Sequence, residues 1–201
     1  LQAQDPSLDD FAGLEGCNEI LNVTRPDIVR AVHRAYLEDF YRWVTEECDG
    51  TTAAYLGRVL SFEADRRALT IAVNAVAQGA SAGAAPLLTR EQRAQLVPSF
   101  GRLHDAGLSA RLVRADDLAT VRALLEDAGV PEYRALLDSF VHSGFSSSGG
   151  DKSAPRSLEE FFFEQEVALC RDAMMHQFSL CPFYAFVKLR EQEIRNVVWI
   201  A

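Results

Sequence analysis

The chain has 201 residues, 48% of them hydrophobic and 24% charged, enough apolar material for one core or two small ones. Its net charge of -9 and pI of about 4.9 disfavour nucleic acid and anionic lipid surfaces as direct partners, and no Lys/Arg run offsets that balance. No apolar segment approaches the roughly 18–20 residues that span a bilayer, and the longest, Phe178 to Val187, is broken by Ser179 and Pro182. The opening residues are polar and acidic, unlike a signal peptide, and the absence of an initiating Met reads as a fragment or a processed product. Cys17, Cys48, Cys170 and Cys181 are scattered without CxxC spacing, a pattern that fits reduced cytosolic thiols better than disulfides or a zinc site.

Nearly every segment reads as helix. Thr24 is placed as an N-cap before Pro26, and Val29, Val32, Tyr36, Phe40 and Trp43 then mark one apolar face. Gly50 is expected to end this element, with Thr51 or Thr52 capping the next, which runs to about Gln78. The stripe of that second helix is Val59, Phe62, Leu69, Val73 and Val76, and Arg66 falls within it. Residues Gly79 to Pro86 read as a small-residue loop. Thr89 caps a short helix ending near Pro98. Short helices follow over Leu103 to Val113, Asp117 to Asp127 (capped by Asp116) and Glu132 to Val141. Ser143 to Pro155 is a low-complexity loop of disordered composition. Ser157 and Glu160 form a capping box for a helix through Gln177, and Pro182 separates it from a last helix over Phe183 to Ala201. No strand is predicted. The fold class is all-α. The organisation is a long-helix segment (1–78), a linker (79–88), a short-helix segment (89–142), a loop (143–156) and a C-terminal helical pair (157–201) packing back on the first bundle.

The last helix is too apolar for an open surface, yet carries Glu191, Glu193, Arg195 and Asn196 within a turn and a half. It should pack against protein over most of its circumference with its charges paired inside. Glu63-Ala-Asp-Arg-Arg67-Ala-Leu and Glu191-Gln-Glu-Ile-Arg195-Asn-Val share one pattern, with Glu four residues before Arg. Matched helices of this kind suggest duplicated bundles, and chance gives the same spacing.

Glu63, Asp65, Arg66 and Arg67 could form an acid–base cluster or an anion site, and structural ion pairs are the commoner use of such residues. Glu159, Glu160, Glu164 and Glu166 with His176 invite a di-iron reading, but no histidine has a Glu three residues before it. Gly144 to Ser153 lacks the Gly-Lys-Ser/Thr of a phosphate loop. Phe161-Phe162-Phe163 and Phe183, Tyr184 and Phe186 read as core packing, and as interface anchors wherever they prove exposed.

Seven blocks carry a family likeness: Arg34 to Arg42, Phe62 to Ala68, Gly101-Arg-Leu103, Leu112 to Asp117, Pro131-Glu-Tyr133, Leu158 to Val167, and Phe183 to Ala201. In this order and spacing they resemble subunit d of the V-type proton ATPase and its relatives in archaeal-type ATPases, over most of the chain. The resemblance implies an all-helical funnel of related bundles with no cofactor, no metal and no catalysis of its own. It implies a rotor piece on the mouth of the proteolipid c-ring, receiving the central-stalk subunits D and F, with subunit a as a further neighbour. ATP-driven torque would pass through it to proton transport. Its place would be peripheral, on the cytosolic face of vacuolar or endolysosomal-type membranes. Within that likeness Glu63, Asp65, Arg66, Arg67, Glu191, Glu193 and Arg195 are carried over as a structural ion-pair network. Family members are considerably longer, so the chain reads as a C-terminal portion without the first bundle and the last few dozen residues. The alternatives are a generic helical adaptor without ATPase assembly, and a helical enzyme with a carboxylate site around Glu63 or Glu164.

Overall fold

The structure is a computed structural model that describes residues 26–79, 89–115, 117–127, 130, 133–134 and 158–200. Those residues form eight helices and no strand, so the fold is all-α. They are α1 (Pro26–Glu47), α2 (Gly50–Gly79), α3 (Arg90–Leu96), α4 (Arg102–Asp105), α5 (Ser109–Arg114), α6 (Leu118–Asp127), α7 (Leu158–Met174) and α8 (Cys181–Ile200). The expected Thr24 and Ser157 caps, the small-residue loop beyond Gly79, the Ser143 to Pro155 loop and most of the Glu132 to Val141 helix lie outside the described residues.

Helix α2 is the axis of the molecule. It is apolar on nearly every side, which is the signature of a buried helix. Leu56, Val59, Leu60 and Ala64 enter one core cluster with Leu37 and Val44 of α1, Phe100, Cys170 and Ala173 of α7, and Cys181 and Ala185 of α8. Phe62, Leu69, Ala72 and Val73 enter a second cluster with Leu103, Leu112, Val121, Leu125, Tyr133 and Phe162. The short helices α4, α5 and α6 pack on α2, α3 packs on α1 and α5, and α1 and the α7–α8 pair also pack against α2.

Local chemistry sets the element ends. Asp49, rather than Thr51 or Thr52, caps α2: its Oδ1 accepts the backbone N–H groups of Thr51 and Thr52 at 3.0 Å each. Gly50 therefore opens α2 instead of closing α1, which stops at Glu47. Thr89 and Gln92 form a capping box on α3. The single helix expected over Leu103 to Val113 is two. Gly107, at φ +70°, donates to the His104 carbonyl while Leu108 N–H reaches the Leu103 carbonyl, a left-handed stop that ends α4. Asp117 caps α6 through the Thr120 N–H at 2.6 Å. Helix α8 begins two residues before the expected Phe183, because Pro182 sits in the first turn, where its missing N–H costs nothing.

The face of α1 is a correction. The predicted stripe of Val32, Tyr36 and Trp43 is exposed, and Leu37 and Val44 fill the core instead. Helix α1 carries two apolar rows. Phe40 of the predicted stripe does pack against the core, its ring 5.4 Å from that of Tyr184, and Tyr36 and Trp43 stack on it from outside with ring centroids 5.8 Å and 6.0 Å away.

Candidate functional site

Helices α2, α7 and α8 meet at a cluster of charges. On α8, Tyr184, Lys188, Glu191 and Arg195 follow each other at steps of four, three and four residues, with Gln192 four beyond Lys188, so one side of the helix presents them together. On α7, Phe162, Glu166, Cys170 and Ala173 form the buried stripe, which places a carboxylate within an otherwise apolar row. Helix α2 contributes Glu63, only 5% exposed, and Arg66.

Lys188 is the hub. Its Nζ lies 3.1 Å from Glu63 Oε2, 3.9 Å from Glu166 Oε1 and 3.5 Å from Glu191 Oε2. Arg66 bridges the same two buried acids from the other side, 3.8 Å from Glu63 and 3.5 Å from Glu166. Gln192 donates from Nε2 to Glu166, and the Tyr184 hydroxyl donates to Glu63 at 3.3 Å. Two buried carboxylates thus face two cations, with Glu191 at the exposed rim. Such a set repays its desolvation only when every member is partnered.

Burial alone would raise the Glu63 carboxyl, but Lys188 and Arg66 outweigh it and hold the group below its ordinary value. Burial also works against the Lys188 ammonium, and Glu63 and Glu166 more than restore it. The Tyr184 phenol is pushed up by burial and then by the Glu63 charge, so it stays a donor. The arrangement is an ionised, mutually saturated clamp between three helices. A general acid would need its carboxyl raised, and Glu63 is shifted the other way. Glu164, the other carboxylate of the enzyme reading, is exposed.

Of the seven residues named from sequence, Glu63, Arg66 and Glu191 meet here. Successive helical positions turn by about 100°, so Asp65 faces away from Glu63, and Glu193 away from Glu191. Asp65 instead accepts the Leu103 N–H at 3.0 Å and the Tyr133 hydroxyl at 2.9 Å. Glu193 pairs with Arg190 on the open side of α8. Arg67 stands against the His33 ring. Arg195 lies 4.0 Å above the Phe163 ring and donates to Gln192 Oε1 at 3.0 Å. The two halves of the sequence echo do converge, since Glu63 and Glu191 share Lys188. The sequence reading does not single out Lys188 or Gln192, takes Tyr184 as core packing, and weighs Glu166 only as a metal ligand. The available signal was register: Glu166 repeats with Phe162 and Cys170, and Lys188 with Tyr184 and Gln192, on core-facing sides.

Among the described residues no group of three or more His, Cys, Asp or Glu is placed to hold a metal, and Glu159, Glu160 and Glu164 are exposed. Cys48, Cys170 and Cys181 are free thiols, and burial, with Glu166 next, pushes Cys170 up to about 12. No described helix is long and apolar enough to cross a membrane.

The profile described as "ATP synthase (C/AC39) subunit" matches residues 14–201, which includes all three helices of the clamp. The chain belongs to that family. Among similar proteins, "V-type proton ATPase subunit d" of Neurospora crassa is 39% identical over 183 residues, covering 87% of this chain and 47% of the relative. The protein of the same name from Dictyostelium discoideum is 40% identical over 191 residues, covering 94% of this chain and 48% of the relative. That from Saccharomyces cerevisiae is 38% identical over 176 residues, covering 87% and 44%. The chain therefore spans a little under half the length of these relatives.

Proposed function

We propose that this chain is part of a non-catalytic component of a V-type proton-pumping ATPase, one that couples the central stalk, subunits D and F, to the proteolipid c-ring. The observation that carries this reading is the family match over residues 14–201, together with the name its relatives share. The geometry supports it in a second way. A torque coupler needs stiffness more than it needs a reactive group. A long buried helix cross-braced to two others by saturated ion pairs supplies that stiffness. The role places the protein peripherally at the cytosolic face of vacuolar or endolysosomal-type membranes, held there by protein contacts and adjacent to subunit a. The funnel of related bundles belongs to the same reading, as does the division of this chain into a long-helix segment, a short-helix segment and a C-terminal helical pair.

The test is capture. The full-length protein should retain both the purified stalk subunits and the detergent-solubilised c-ring, and this chain run beside it assigns the contact to one half. A folded full-length protein that captures neither partner would return the generic adaptor to first place.

A further inference from the structure

The clamp leaves a surplus of positive charge beside it. Helices α1, α2, α7 and α8 border a cleft of about 300 Å³, and His33, Arg66, Arg67, Glu159 and Arg195 are among the residues that line it. Within the clamp, Lys188 and Arg66 match Glu63 and Glu166 one for one, and Glu191 at the clamp's rim does not line the cleft. Arg67 and Arg195 come on top of that balance. Among the described residues Arg195 forms no ion pair: its guanidinium lies over the Phe163 ring, and its hydrogen bond goes to the neutral Gln192. Arg67 stands against the His33 ring. Glu159, the acid of this lining that belongs to no clamp pair, is exposed, so solvent screens it. The His33 imidazole reports the sign of the local field. Partial burial and then Arg67 hold it below its ordinary value, Lys188 and Arg66 act in the same direction, and Glu63 opposes them. The cleft is therefore positive, on a chain whose net charge is -9.

We propose that this cleft is an anion site that takes the phosphate group of a phosphorylated molecule, held between Arg67 on α2 and Arg195 on α8. A guanidinium is a planar fork that gives paired N–H···O bonds to a single oxyanion. Two such forks, supplied by different helices, are neutralised together by a dianion, which selects phosphate over a single carboxylate. The Phe163 ring beneath Arg195 fixes the plane of that guanidinium before anything binds, which lowers the cost of ordering it. A volume of about 300 Å³ suits a small molecule. The chain's overall negative charge opposes an anionic bilayer, so the phosphate is expected from a soluble source. Once bound, it would tie α2 to α8 a second time, beside the clamp. The site follows from the charge and shape of the cleft and stands apart from the proposed role in the ATPase.

Arginine protection tests it, in the full-length protein that carries this chain. Phenylglyoxal modification of Arg67 and Arg195, located by peptide mass spectrometry, should slow as inorganic pyrophosphate is added at constant ionic strength. Arg190, paired with Glu193 on the open side of α8, should react at an unchanged rate. Calorimetry should show saturable binding of pyrophosphate that Arg67→Gln or Arg195→Gln weakens at least about tenfold and Arg190→Gln leaves alone. The labelling uses the unsubstituted protein, so it decides the matter even where a variant fails to fold. Vesicles carrying a phosphoinositide form a parallel arm. Pyrophosphate binding without co-sedimentation assigns the phosphate to a soluble molecule, and co-sedimentation that pyrophosphate abolishes assigns it to a lipid headgroup at the same site. Three results would overturn the proposal. One is an absence of saturable pyrophosphate binding. Another is equal protection of Arg67 and Arg195 by sodium chloride at the same ionic strength. The third is folded Arg67→Gln and Arg195→Gln variants that bind as tightly as the unsubstituted protein.

Discussion

Asp65 is a buried carboxylate that stands in for a missing capping side chain. The cap position of α4 is Gly101, which has no side chain to fill that role, and Asp65 reaches across from α2 to accept the Leu103 N–H. Gly101 is required there: it sits at φ +107°, and a Cβ would lie 2.7 Å from Asp65 Oδ1 and 3.1 Å from the Ser61 carbonyl oxygen. Gly101→Ala should cost about 2–3 kcal/mol from backbone strain and contact with rigid neighbours. A denaturation midpoint unchanged by that substitution would contradict this account of the turn. Burial raises the Asp65 carboxyl to about 6 from an ordinary 3.8, against the opposing hydrogen bonds of Leu103 and Tyr133. A carboxyl raised in the folded state takes up its proton there first, so folding gains stability as pH falls from about 7 towards 4. The gain is of the order of 3 kcal/mol at most. Glu63, shifted the other way, loses its contribution only at lower pH. Asp65→Asn keeps an acceptor for Leu103 and removes the titration. The stability difference between wild type and this variant, read by urea denaturation at several pH values, should therefore vary between pH 7 and 4. A constant difference would show that Asp65 does not titrate in that window.

At the scale of elements, the clamp makes α2, α7 and α8 cooperate. Lys188→Met would leave Glu63 and Glu166 with Arg66 as their shared cation, and should cost about 3–5 kcal/mol because a buried charge loses its partner. Glu63→Gln should lower the melting temperature by less, since Tyr184 can still donate to the amide oxygen. The double variant should lose less than the sum of the two. Strict additivity, measured in the same denaturation series, would show that the two residues do not act as a pair. The elements themselves were largely legible in the sequence, because helical periodicity and cap chemistry are local. Thr89 with Gln92 is an example. Errors arose where two local readings competed. Helix α1 offers two apolar rows, and of the aromatic one only Phe40 reaches the core, with Tyr36 and Trp43 stacked outside it. Leu103 to Val113 is continuous in apolar pattern, and only the positive φ of Gly107 divides it. The clamp was half legible. Arg66 stood out as a charge in an apolar stripe and Glu63 as its neighbour in an acid–base cluster, whereas Lys188 carries no such local signal. Its two buried partners, Glu63 and Glu166, lie on two other helices, distant in sequence.

At the scale of the molecule, one buried helix threads two hydrophobic clusters and is braced by charge at their junction. That construction makes a stiff frame, which is what the proposed coupling role requires of it. Coupling of this kind is measured by proton pumping. Membranes whose V-type ATPase lacks the full-length protein would be supplied with it, and ATP-driven acidification would be recorded beside ATP hydrolysis by the isolated soluble sector. The full-length protein should restore acidification and leave hydrolysis by the isolated sector unchanged. Acidification that proceeds equally well without it, or hydrolysis by that sector that rises when it is added, would contradict the account.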